Sequence, residues 1–287
     1  MTPWKESKEL KFEYPISDEE SEEDASYISL NTLVGGEFDP VVYTAFEILD
    51  YALLQVPGAV LKEALIDAGI GKEILGGYSP GIKEPYFSVI AKQTSNEKLA
   101  EFKMVVKGTL RKLLSTGLDK EVLKAAINVY EFKAREADFG SYPKGLIYGL
   151  QAFDSWLYDA DPTSHLRFQH IFDTLKLRLE DGFFENLIRE YLLCNPHEVY
   201  VTLVPKKGLA AEKEAKLKSK LEAYKKSLSE EQIETIIKET DELKAYQEEP
   251  SRPEDILKIP LLNRSDIKKE AAGFKYDVKQ TDGVKVI

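Results

Sequence analysis

The sequence predicts an α/β sandwich: a mostly antiparallel sheet covered on one face by helices, followed by an α-helical hairpin. Three observations carry that expectation. Short alternating stretches at Tyr27–Leu33, Ile74–Tyr78, Tyr86–Lys92 and Val199–Val204 have the period of strands. Runs of helical period fill the intervals between them. From Lys206 to Glu249 nearly half of the residues are charged, and the remaining Leu, Ile and Tyr recur at helical spacing.

Taken in order, residues 1–25 form an extended segment with Tyr14-Pro15-Ile16 as an anchor. Its Asp18–Asp24 run holds six acids in seven residues and reads as a solvated loop. In the first strand, Ile28, Leu30 and Thr32 fall on the core side. Asp39 has the place of a helix cap and Pro40 that of the first helical residue. Val42, Ala45, Phe46, Leu49, Leu53 and Val56 then mark a buried stripe, and Pro57-Gly58 breaks the run. The next helix stops at Gly69, with Ile70 placed to cover its end. After the paired strands a helix starts at Ser95 or Asn96 and runs to Gly117. Asp119 caps the following one, stapled by Leu118 and Leu123, and Gly140 stops it. Further helices are expected from Pro143 to Tyr158, from Asp161-Pro162, and from Phe183 to Leu193.

The charged segment reads as two antiparallel helices joined at Ser227–Ser229. Ser229 and Gln232 have the spacing of a capping box. The stripe Leu217, Leu221, Tyr224, Leu228 is continued by Ile233, Ile236, Ile237 and Thr240, and the expectation is that they form the hairpin's own seam or, alternatively, a surface on which a further half packs. Pro250, Pro253 and Pro260 argue for an extended Ser251–Ser265, and Tyr276–Ile287 alternates like a strand. The domain expectation is therefore 1–25 extended, 26–205 an α/β domain, 206–250 a helical-hairpin linker, and 251–287 a segment leading toward a further domain. The strand-like ending suggests a piece of something longer.

Composition narrows the function classes. Hydrophobic residues make up 43% of 287, enough for a packed core. A net charge of −11 opposes nucleic-acid binding, which needs clustered Lys and Arg. One cysteine, Cys194, leaves no internal disulfide and no thiolate metal cluster. No apolar run is seen to reach the ~20 residues that cross a bilayer, and no targeting segment is visible. The expected location is cytoplasmic if the source is bacterial and organellar if it is eukaryotic.

Three stretches then carry a resemblance. They are Tyr27-Ile28-Ser29-Leu30-Asn31 with the Ile48–Gly71 helix pair, Tyr142-Pro143-Lys144-Gly145-Leu146 opening a helix, and the 209–249 hairpin leading into Lys258-Ile259-Pro260-Leu261-Leu262-Asn263-Arg264-Ser265-Asp266-Ile267. In these the chain resembles the pitrilysin (insulinase-like) zinc metallopeptidases, most closely their presequence-protease subfamily. The resemblance implies four similar α/β domains in two halves, which close around unfolded peptides, with zinc held by a His-x-x-Glu-His motif in the first domain. That motif does not occur here. The chain is similar to the non-catalytic second domain plus the linker, with the remaining domains and unfolded peptide as partners and zinc belonging to the full-length enzyme. A stand-alone inactive partner subunit of such a complex is the alternative.

No catalytic, cofactor-binding or metal residue is expected in this chain. His165 and His170, five apart, point about 140° apart around a helix, whereas ligands on one face want a spacing of three or four. Cys194 before His197 suggests a Cys–His pair, but a helix C-terminus disfavours the thiolate, and Leu192 and Leu193 suggest a buried small hydrophobe. Gly69-Ile70-Gly71-Lys72 lacks the frame of a phosphate loop. Phe153, Trp156, Tyr158, Phe168 and Phe172 recur at helical spacing and read as core, with a minority lining a peptide chamber.

Overall fold

The computed structural model describes residues 4–35, 39–137, 139–261 and 263–266, together with the backbone of 279–281 and 284–286. The chain divides into two compact units, Met1–Lys216 and Leu217–Ile287. In the first, five strands form one sheet in the order β1-β5-β2-β4-β3: β1 (Lys8–Ile16), β2 (Ser26–Leu33), β3 (Glu73–Ser79), β4 (Tyr86–Thr94) and β5 (Glu198–Lys207). All neighbours are antiparallel except β1, which runs parallel to β5 with Lys8 opposite Val199. The fold is an α+β sandwich, as the sequence predicts.

Local chemistry sets most element ends. The Asp39 carboxylate accepts from the backbone N–H of Val41 and Val42, and Pro40 opens α1 (Pro40–Asp50). The helix continues as a π-helical turn, Tyr51–Gln55, and stops before Pro57. Pro40–Asp67 is long and apolar enough by composition to cross a membrane, contrary to the count of apolar runs. Half of its most apolar window, however, is buried inside this fold. After α2 (Val60–Asp67) the chain reverses at Gly69, whose φ is +65°. Ile70 N–H donates to the Leu65 carbonyl and Gly69 N–H to that of Ile66, the two bonds of a Schellman cap. Asp119 caps α4 (Lys120–Glu136), and Leu118 and Leu123 are both buried across that cap.

Helices α1, α2, α3 (Leu99–Thr116), α4, α6 (Phe168–Leu177) and α7 (Phe183–Leu187, continuing as a π-helical turn to Leu193) lay their apolar sides on one face of the sheet. Ile28 and Leu30 meet Phe46, Leu49, Leu61, Phe102 and Phe184 there, all essentially inaccessible to water. Each such side chain stabilises the fold by about 1.5–3 kcal/mol.

Several expectations need correction. Within the extended N-terminal segment, Lys8–Ile16 is an edge strand of the sheet, a pairing the sequence reading did not include. α4 ends at Glu136, with Ala137 in the left-handed region at φ +49°, rather than running to Gly140. Asp161-Pro162 opens turns, not a helix; Asp161 Oδ1 accepts from Thr163 N–H and α6 starts only at Phe168. In α5 (Lys144–Trp156), Phe153 and Trp156 are exposed rather than core, while Phe172 in α6 is buried.

α8 (Leu209–Ser227) opens at the end of the first unit, and α9 (Glu230–Glu248) belongs to the second. The capping box at Ser229 and Gln232 forms as expected. In the second unit Leu217, Leu221, Tyr224, Ile236 and Ile237 stand exposed, so they are not buried in a seam of their own. Ser251–Ser265 is not uniformly extended, since Pro253–Ile256 forms α10. Of Tyr276–Ile287, the described parts Lys279–Thr281 and Val284–Val286 pair antiparallel as β6 and β7, and the rest lies outside the described residues.

Candidate functional site

Strand alternation puts one set of side chains under the helices and the other on the opposite sheet face. On that second face stand Leu10, Phe12 and Tyr14 from β1, and Val199, Val201 and Leu203 from β5. Tyr27 and Leu33 join them from β2, with Tyr86 and Ile90 from β4. Phe12 is 52% exposed and Leu10 44%, values that belong to a surface and not to a core. Tyr14 and Tyr27 meet edge to face at 5.5 Å, and the Tyr14 hydroxyl donates to the Ala25 carbonyl at 2.6 Å. A groove of about 440 Å³ runs along this face between Trp4, Leu33, Tyr86, His197 and Val201. It is apolar, shallow and bordered by Asn31 and Glu84.

A second feature lies on the helix side. A cavity of about 210 Å³ is lined by Tyr43, Glu47, Tyr130, Lys133, Gln151 and His165, with Phe168 and Phe172 among its apolar walls. The Tyr43 hydroxyl donates to Asp154 Oδ2 at 2.8 Å and so ties α1 to α5. Burial, then the neighbouring Asp154 and Asp50 carboxylates, push the Glu47 carboxyl up to about 8, with Lys133 pulling the other way. Burial also raises Asp50, against hydrogen bonds that lower it. The Tyr43 and Tyr130 phenols are raised, first by burial and then by the charge on Glu47. Burial and the neighbouring carboxylates thus favour the neutral form of Glu47.

The residues weighed from sequence are dispersed. His165 packs against the Tyr43 ring at 4.4 Å and precedes α6, so it does not share a helix with the exposed His170. His197 is buried against Trp4 at 4.5 Å. Cys194 is exposed, not buried as expected. Gly69 is a helix cap. Among the described residues no three His, Cys, Asp or Glu side chains gather as metal ligands would. No catalytic step through zinc is assigned to the described residues. Sequence reasoning missed the Glu47–Asp154 pair. Its one signal was two acids, Glu47 and Asp50, inside an apolar helical run.

Comparison with known proteins places these features. Residues 203–287 match the family described as associated with the C subgroup of the M16 peptidases. The chain is 43% identical over 277 residues to "Protein HypA" of Clostridium perfringens, covering 96% of this chain and 28% of that protein. It is 34% identical over 248 residues to "Presequence protease 1, chloroplastic/mitochondrial" of Arabidopsis thaliana, covering 85% of this chain and 23% of the relative. It therefore spans about a quarter of the length of these curated relatives. Among solved structures a protease from Helicobacter pylori superposes with a TM-score of 0.50 at 16% identity, over 71% of this chain and 47% of that one. That likeness concerns the fold alone.

Proposed function

The chain belongs to the pitrilysin-like (M16) peptidase family, and from that premise we propose that it is a non-catalytic part of a zinc metalloendopeptidase that degrades unfolded peptides. Its α/β domain, residues 26–205, forms one wall of the peptide chamber, and the 206–250 helices form the hinge between two halves. Residues 1–25 are an extended segment that adds β1 to the sheet and so to the wall, and residues 251–287 lead toward a further domain. Zinc and the groups that break the bond reside elsewhere in the full-length enzyme.

The observation that carries this reading is the open sheet face. An unfolded peptide offers apolar and aromatic side chains in no fixed order. A broad apolar face accepts them without demanding a sequence, and Asn31 and Glu84 at its border offer polar contacts. Such a wall contributes contact area and excludes water, and it supplies no reacting group.

Fluorescence anisotropy of a labelled unfolded peptide titrated with this chain tests the reading. The expected result is saturable binding that weakens at least about tenfold, ~1.4 kcal/mol, when Phe12 and Tyr86 are both replaced by Asn. Both side chains are exposed, so the urea unfolding midpoint should hardly move. Binding indifferent to that double change would overturn the assignment of the wall. Zinc-dependent, chelator-sensitive hydrolysis of the peptide by the purified chain would overturn the non-catalytic reading itself.

A further inference from the structure

Helix α5 is held unlike its neighbours. Its buried residue is Ser155, whose hydroxyl donates to the Asp161 carbonyl in the turn that follows, at 2.8 Å. Its stripe Leu146, Leu150, Phe153 and Trp156 faces solvent. Polar groups tie it to other elements. Asp154 accepts from Tyr43 in α1, and the same carboxylate lies against the β3–β4 loop, where a Cβ on Gly81 would come within 2.7 Å of it. At the other end Lys144 Nζ donates to the Glu136 carbonyl at 3.1 Å. Beneath the helix is the 210 Å³ cavity, to which α5 contributes Gln151.

We propose that α5 is a latch over this cavity, closed while Glu47 is protonated and released when Glu47 ionises.

The groups around Glu47 make the contact one-sided. Its own helix brings Tyr43 and Asp50, and α5 brings Asp154. From α4 come Tyr130 and Lys133, and the turn before α6 brings His165 to the same cavity. From β3, the Tyr78 ring packs on Tyr43 at 5.8 Å. Ionised Glu47 would add a third carboxylate to Asp50 and Asp154, set against the charge of Lys133. Like charges repel more strongly the less water there is to screen them. Moving α5 outward hydrates Glu47 and separates it from Asp154, and both changes favour the charged form.

Linkage fixes the sign. The closed state holds the Glu47 proton up to about pH 8, whereas a hydrated glutamate releases it near 4.5. Opening therefore releases a proton. The open population rises by up to about tenfold per pH unit between those two values and levels off above the higher one.

Amide hydrogen exchange of residues 144–158 between pH 6 and 9, corrected for the intrinsic exchange rate, tests the latch. Protection of α5 is expected to fall as pH rises toward 8 and then to level. Amides of α3 provide the internal reference and should show no such slope. Glu47→Gln keeps a neutral side chain in place and should flatten the α5 profile. Asp154→Asn retains an acceptor for Tyr43 and removes one charge, so its profile should level at a lower pH. A flat profile in the natural chain would overturn the proposal, as would a slope unchanged by Glu47→Gln. Should Glu47→Gln fail to fold, an Asp154→Asn profile that levels where the natural one does would overturn it equally.

Discussion

Between α3 and β5, Lys107 Nζ lies 2.5 Å from Glu198 Oε2 and 2.8 Å from the Leu192 carbonyl. The two side chains are 12% and 9% exposed, so neither charge has much water to fall back on. Such a pair is weak evidence of net stabilisation, yet breaking it on one side is costly. Lys107→Met should destabilise the first unit by about 3–5 kcal/mol in urea unfolding, because among the described residues Glu198 is then left buried with the Tyr200 hydroxyl at 3.3 Å. Replacing both residues by Met should recover most of that loss, and a single change costing under ~1 kcal/mol would show that the site relaxes or hydrates. Nothing in the sequence pointed to this pair, or to Glu47 with Asp154. Each joins residues far apart in the chain, and a lone acid or lysine on a helix reads as surface. The histidines were read differently, because helical spacing alone argued against a shared metal, and the structure separates His165 from the helix that carries His170.

Elements were legible wherever their ends are set by local chemistry. The Asp39-Pro40 start, the Gly69 stop and the Ser229–Gln232 box depend on residues two to five apart, and all form. Among the strands, β5 was legible from its own alternation, whereas β1 was not read as one. Leu10, Phe12 and Tyr14 alternate with charged residues as a half-buried strand would, but the pairing that makes β1 a strand is with β5, at the other end of the domain. The end of α4 was misplaced because Ala137 takes the left-handed conformation that a glycine such as Gly140 adopts at less cost. One cap allows a clean test. Asp119 Oδ1 accepts from the N–H of Glu121 and of Val122. Asp119→Ala should cost about 1 kcal/mol, within a range of ~0.5–2, because the Leu118–Leu123 contact survives. Thermal or urea unfolding would show it. A loss well above that range would mean that the cap also fixes the α3–α4 turn against the core.

Over the whole molecule, apolar periodicity identified the stripes but not which of them are covered. The α1 stripe is buried, whereas the α5 stripe and those of α8 and α9 stand in water, although all share the same spacing. Periodicity reports an apolar side, and only tertiary context decides what lies against it. Among the described residues the chain thus exposes apolar surface at the open sheet face, the α5 stripe and the stripes of the second unit. Exposed surface of this kind favours association. A net charge of −11 opposes it through like-charge repulsion, which salt screens over about 10 Å at 0.1 M. Sedimentation velocity should therefore show concentration-dependent association that strengthens as salt is raised. Leu150→Glu with Phe153→Glu should weaken it, because both side chains are exposed and the change adds charge to an apolar stripe. Association lost on adding salt would instead point to contacts between opposite charges. A monomer at every concentration and salt level would show that these faces are too small or too divided to hold a partner, and the α5 stripe would then need no cover to be stable in water.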